Sequence, residues 1–172
     1  MNNHRWILVA EDNPNDADLT LRALSANQAP GEIVLTIDGA EALDCLYRRG
    51  AFQGRDEDQP AVILLDLKMP RVDGLEVLRQ VKNDAVLKNI PVVIFTSSRE
   101  RADLIRTYQM GANAYVVKPL GYQEFVATLK DVKKFWMILN EPPPPDLLQG
   151  VDVTTLRPDV QPPQPQLAPA AW

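Results

Sequence analysis

Cysteine and histidine are nearly absent from the chain: Cys45 and His4 are its single examples. One cysteine cannot close a disulfide within the chain, so nothing argues for an oxidising compartment. One residue of each type cannot supply the Cys/His ligand set of a structural zinc site. His4, in the N-terminal segment, is no candidate for metal ligand or phosphodonor by itself. An excess of positive charge is missing too. Lys and Arg number 18 against 23 Asp and Glu, for a net charge of −5, so the basic stripe of a nucleic-acid binder is not expected. The local cluster Lys130, Lys133 and Lys134 reads as a solvated helix face. No apolar run reaches the length of a membrane span, and Trp6–Ala10 is too short for the core of a cleavable leader. A cytoplasmic protein without membrane contact is the expectation.

What the chain does have is core material. Hydrophobic residues are 45% and charged residues 24% of the 172, enough to bury a core without disulfides or a structural metal. Proline marks the main division. Nine of the 15 prolines lie between Pro142 and Pro169, beginning with Pro142-Pro143-Pro144-Pro145. Proline lacks an amide proton and fixes φ, so helices and central strands are excluded there. The sequence therefore divides into a folded domain over 1–140 and a Pro-rich tail over 141–172, for which polyproline II or disorder is the default. Leu147-Leu148 and Val151–Leu156 give the tail apolar points that could dock on a surface.

Within 1–140, apolar runs alternate with helical periodicity. Trp6–Ala10 is a continuous apolar run, as expected of a strand buried on both faces, and Ile33–Ile37, Ala61–Leu65, Val92–Phe95 and Ala114–Val117 read as four further strands. Between them, Ala17, Leu21 and Leu24, then Ala42, Leu43, Leu46 and Tyr47, then Leu75, Leu78 and Val81 recur at helical spacing. A fourth, weaker helix is predicted over roughly Arg99–Met110. A fifth carries Phe125, Leu129, Val132, Trp136 and Leu139 on its core face, with Phe135 and Ile138 as apolar surplus. Five strand–helix units with short connections imply an α/β fold: a five-stranded parallel sheet, doubly wound, covered on both faces.

Ligands of such sheets gather beyond the carboxyl ends of the strands, so the residues just past each strand carry the chemistry. Glu11-Asp12-Asn13 follow the first strand, Asp66 the third, Thr96-Ser97-Ser98 close the fourth, and Lys118-Pro119 follow the fifth. Singly, each has an ordinary explanation: Asp12 or Asn13 as a helix cap, Ser97 or Ser98 likewise, Lys118 as a solvated lysine. Together, three clustered carboxylates repel one another, and a divalent cation is the usual remedy. All-oxygen ligands favour Mg²⁺ or Mn²⁺. A lysine and a hydroxyl opposite the cation are the remaining parts of a phosphoryl-transfer site, with a carboxylate as nucleophile.

The segments VAEDNPND, ILLDLKMPRVDG, VIFTSS and AYVVKPL together resemble the response-regulator receiver domains, and the resemblance covers about Trp6–Leu139. It implies the strand order 2-1-3-4-5, which members of this family exemplify. It further implies that Asp66 is the phosphoacceptor, Asp12 a direct metal ligand and Glu11 the second acid. The backbone carbonyl of Lys68 would be a further metal ligand. Thr96 and Tyr115 would form the switch pair, Lys118 the phosphate contact, and Lys118-Pro119 a cis peptide. A histidine kinase is the implied phosphodonor. Glu-Asp stands where many members have Asp-Asp. The polar insertion Phe52–Gln59, the Met69-Pro70-Arg71 turn and the lack of an effector domain resemble single-domain regulators paired with phytochrome-type kinases. Output would be protein contact through helix four, strand five and helix five. The surplus Phe135 and Ile138 fit either a broad buried face or a homodimer through that surface with the tail crossing onto the partner. Two rivals are a phosphate-independent scaffold, which normally lacks an acid, the threonine or the lysine, and a flavodoxin-like cofactor binder. The second would need a Gly- or Ser/Thr-rich phosphate loop where Glu11-Asp12-Asn13 stand.

Overall fold

The structure, a computed structural model, describes residues 5–25, 31–55 and 59–143. Strands and helices alternate: β1 (Trp6–Ala10), α1 (Pro14–Ser25), β2 (Glu32–Thr36), α2 (Gly39–Leu46), β3 (Val62–Leu65), α3 (Gly74–Asn83), β4 (Val92–Thr96), α4 (Arg101–Gln109), β5 (Ala114–Val117) and α5 (Tyr122–Lys134). A 3₁₀ turn at Gly50–Phe52 follows α2, and a π-helical turn at Phe135–Leu139 prolongs α5. All strand pairings are parallel and the order is β2-β1-β3-β4-β5, as the resemblance implied.

The central strands β1, β3 and β4 are buried on both faces, whereas the edge strands β2 and β5 are only partly buried. Trp6, Leu8 and Ala10 of β1 pack with Ile63, Leu65 and the α3 residues Val77, Leu78 and Val81 on one side of the sheet. Ile7 and Val9 pack with Leu24, Val62, Leu64, Phe125 and Leu129 on the other. Register aligns the carboxyl ends: Ala10 lies beside both Thr36 and Leu65, and Thr96 beside Val117. The ladder continues one step past the strands, with Glu11 N–H donating to Thr36 O, Asp66 N–H to Ala10 O and Lys118 N–H to Thr96 O. Residues 11, 66 and 118 are thus delivered to one rim by backbone pairing alone.

Several expectations change. Leu139 is 60% exposed, and Met137 takes the core position beyond Leu129. The cause is the π-helical turn, closed by Asn140 N–H to Phe135 O: one extra residue in the turn advances the inward face. Phe135 and Ile138 are exposed as well, so the broad-buried-face explanation of the apolar surplus fails. Lys133 is buried rather than solvated, its Nζ donating to Leu24 O at the end of α1. Among the described residues there is no cis peptide, so Lys118-Pro119 is trans, the isomer that an X-Pro bond ordinarily prefers. The fourth helix is two residues shorter at its start than predicted and buries only Thr107. His4, residues 56–58 of the insertion and the tail from 144 onward lie outside the described residues. Among the described residues no helix is long and apolar enough to cross a membrane.

Candidate functional site

Four loops build the site. The β1–α1 loop begins with Glu11, buried at 3% exposure, and Asp12, which is exposed. Asn13 is the helix cap: its Oδ1 accepts from Asn15 N–H and Asp16 N–H, and Pro14 opens α1 without a wasted donor. This cap turns the first turn of α1 back over the rim. Asp66, at the head of the β3–α3 loop, is buried, and its Oδ1 accepts from Leu67 N–H at 2.6 Å. Carboxylate oxygens of Glu11, Asp12 and Asp66 lie within 4.8 Å of one another.

Lys118 enters this acid cluster from β5. Its Nζ lies 2.6 Å from Glu11 Oε2, 2.9 Å from Asp66 Oδ2 and 2.9 Å from Asp16 Oδ2. The reading of Lys118 as a solvated strand-end lysine is excluded by its burial. Asp16 is not among the residues that the sequence singles out. It stands in VAEDNPND one helical turn past the acid pair, and the cap at Asn13 is the local signal that could have found it. Burial alone would lower the Lys118 ammonium, but hydrogen bonds to Glu11, Asp66 and Asp16 outweigh it and hold the group above the usual lysine range. Burial pushes the Glu11 carboxyl up to about 7 despite the opposing hydrogen bond and charge of Lys118. One ammonium among four carboxylates leaves the rim net negative, and all its donors are oxygens. That set suits a hard divalent cation and offers no thiolate or imidazole to a softer one.

The neighbouring β4–α4 segment carries the hydroxyl. Thr96 is fully buried, and its Oγ1 accepts from Ser98 N–H at 3.3 Å. Ser98 in turn donates from Oγ to Asp103 Oδ2 at 2.6 Å and accepts at its carbonyl from Tyr115 OH at 3.0 Å. Thr96 and Tyr115 are therefore linked through one residue, which the sequence suggested only as a cap. The Ser98 hydroxyl accepts from Glu100 N–H at 3.3 Å, but the cap of α4 is Glu100, without a side-chain cap bond, so the reading of Ser97 or Ser98 as the helix cap fails. Lys68 is exposed, with its Nζ 3.8 Å from Glu100 Oε1.

The same fold recurs in known proteins. Residues 7–130 match the response regulator receiver domain. The chain is 32% identical to the response regulator Rcp1 of Synechocystis sp. over 131 residues, 76% of this chain and 88% of that protein. The crystal structure of the Mn²⁺-bound form of Rcp1 matches with a TM-score of 0.76 and 31% identity, covering 81% of this chain and 99% of the other. The phosphorylated cyanobacterial phytochrome response regulator RcpA matches with a TM-score of 0.76 and 34% identity, covering 82% and 99%. The bacteriophytochrome response regulator AtBRR shares 51% identity with a TM-score of 0.65, covering 80% and 99%. On the extent of these matches, and with the acids, threonine and lysine on the expected strands, the chain belongs to the response-regulator receiver family.

Proposed function

We propose that the chain accepts a phosphoryl group on Asp66 from the phosphohistidine of a sensor kinase, with a divalent cation at the acid cluster. The observation that carries this is the position of Asp66: buried at the carboxyl edge of β3, with one oxygen held by Leu67 N–H and the other 2.9 Å from Lys118 Nζ. An Asp66 oxygen would attack phosphorus while the bond from phosphorus to the imidazole nitrogen breaks, leaving its electron pair on the histidine. Glu11, Asp12, Asp66 and the Lys68 backbone carbonyl would hold Mg²⁺, or Mn²⁺ in its place; when bound, the cation neutralises charge on the phosphoryl oxygens. Lys118 would exchange contacts with the acids for a phosphoryl oxygen, and Thr96 would donate its hydroxyl to another.

In this reading the chain is a signalling protein rather than a turnover enzyme, and it promotes its own phosphorylation and dephosphorylation. Residues 1–140 form the receiver domain and 141–172 the Pro-rich tail, in a cytoplasmic protein without DNA contact. Movement of Thr96 toward the phosphoryl group would withdraw the Oγ1 that Ser98 N–H holds, and Tyr115 would follow into the vacated space. The surface of α4, β5 and α5 would then change. Leu104, Ile105 and Tyr108 are exposed there, which supports a protein partner or a homodimer on this face. A phytochrome-type kinase is supported by the likeness to RcpA and AtBRR, both phytochrome response regulators by description.

The test is intact-protein mass spectrometry after incubation with acetyl phosphate, with and without Mg²⁺, using Asp66→Asn as the control. One added phosphoryl group that requires both Mg²⁺ and Asp66 is expected. No adduct under any condition, with no beryllofluoride binding, would shift the reading to a phosphorylation-independent scaffold.

A further inference from the structure

The loop that follows Asp66 is held from outside the acid cluster. Arg71 in this loop has φ +62, a left-handed conformation that an arginine seldom adopts. Such a backbone state persists where the surroundings over-determine it. Here they do. Arg71 Nε donates to Asp38 Oδ2 at 2.7 Å, and the guanidinium makes a second contact with the same oxygen through NH2. Asp38, in the β2–α2 loop, is buried, and its two oxygens are divided: Oδ2 takes Arg71 while Oδ1 caps α2 by accepting from Glu41 N–H at 2.8 Å. Hydrogen bonds to Glu41 and Arg71 hold this carboxyl below the usual aspartate range in spite of burial.

Two glycines show how closely the loop is seated. A Cβ on Gly39 would stand 2.1 Å from Val72 O, and one on Gly74 would stand 2.1 Å from Asp66 O. The loop backbone thus lies directly on the start of α2 at one side and is folded onto the acceptor residue at the other. Gly74 N–H donates to Leu67 O at 2.9 Å and closes it. The pair Arg71–Asp38 therefore joins the loop of residues 66–73 to the loop beyond β2, whose last ladder bond, Glu11 N–H to Thr36 O, starts at the first acid of the cluster.

We infer that Arg71 and Asp38 are positioning residues: their ion pair straps the β3–α3 loop so that Asp66 and the Lys68 carbonyl are preset for the cation. The inference rests on the reading of Asp66 as phosphoacceptor with a divalent metal. Neither residue is among those that would hold the cation or the phosphoryl group; each would act through the backbone between 66 and 73. Groups that orient metal ligands from outside the coordination sphere commonly govern affinity by about tenfold or more.

The experiment uses the full chain and titrates Mg²⁺ by calorimetry into the wild type, D38N, R71Q, R71K and the D38N/R71Q double variant. Asn at 38 retains the α2 cap while removing the charge, so folding and strap are separated. Expected are losses of Mg²⁺ affinity of about tenfold in D38N and in R71Q, no larger loss in the double variant, and partial recovery in R71K. In metal-free protein, amide exchange over residues 67–73 should quicken in D38N and R71Q while exchange in α3 stays unchanged. Unchanged Mg²⁺ affinity in R71Q, or losses that simply add in the double variant, would overturn the strap. A wild type that takes no Mg²⁺-dependent phosphoryl group on Asp66 would defeat the parent reading, and this one with it; the two failures are told apart by the wild type alone.

Discussion

Helices α3 and α4 lie one strand apart in the same alternation, yet they are anchored very differently. α3 buries Gly74, Val77, Leu78 and Val81, whereas α4 buries Thr107 alone and exposes Leu104, Ile105 and Tyr108. The strands that follow them differ in the same way: every residue of β4 is buried, and every residue of β5 is only half-buried. The acids and Asp66 stand on the firmly packed side, and Tyr115 on the loosely packed one. Elements with few buried apolar contacts are those that open or shift most cheaply. The contrast fits the proposed division, with the chemistry on the firmly packed half and the signal on the loosely packed one.

The largest difference between the halves is expected in the core. Leu78→Ala should cost about 2–5 kcal/mol in denaturant unfolding, since a fully buried leucine leaves a cavity. Leu104→Ala, on α4, should stay within about 0.5 kcal/mol. Comparable losses at the two sites would erase the distinction between the halves. Lys118→Met acts at the seam. Removing the ammonium leaves Glu11, Asp16 and Asp66 facing one another, and metal-free stability should fall by about 3 kcal/mol. Mg²⁺ should restore part of that loss and bind the variant more tightly than the wild type, as a thermal-shift titration would show.

Proton binding offers a finer test on the firmly packed side. Glu11 has its carboxyl pushed up to about 7 from an ordinary 4.5, so between those values the folded protein holds more protons than the unfolded chain. Metal-free stability from this residue is therefore fully present below about pH 4.5 and lost as pH rises through about 7. Glu11→Gln should flatten that window in unfolding curves taken at several pH values. A smaller effect is expected at Asp38, whose carboxyl is lowered. Asp38→Ala should cost about 1 kcal/mol through the lost α2 cap. The ionic part of the wild-type contribution holds above pH 3.8, the ordinary aspartate value, and fades as pH falls below it. Parallel acid-unfolding curves for the wild type and the variant would contradict it.

Much of this was legible in the sequence because it depends on local pattern. Apolar runs such as Ala61–Leu65 announce buried parallel strands, and the residues just past them must fall on one rim. Register then carries Glu11, Asp66 and Lys118 together. What escaped depends on geometry that spacing does not encode. Asp16 reaches Lys118 only because the Asn13 cap sets the direction of α1. Leu139 turns outward because of one π-helical turn, and Lys133 turns inward because the end of α1 offers it a carbonyl. The Arg71–Asp38 pair joins residues 33 positions apart across two loops, and neither residue type announces a partner at that distance.

The most direct test of the division of labour is amide hydrogen exchange by mass spectrometry, comparing Mg²⁺ alone with Mg²⁺ and beryllofluoride, in the wild type and in Thr96→Ala. Altered exchange across α4 and β5 is expected in the wild type, with little change in α2 and α3. In Thr96→Ala the ligand should still bind, with the response at α4 and β5 largely lost. Exchange that changes equally in α3 and α4, or a response at α4 that persists without the Thr96 hydroxyl, would contradict the assignment of chemistry and signal to separate halves.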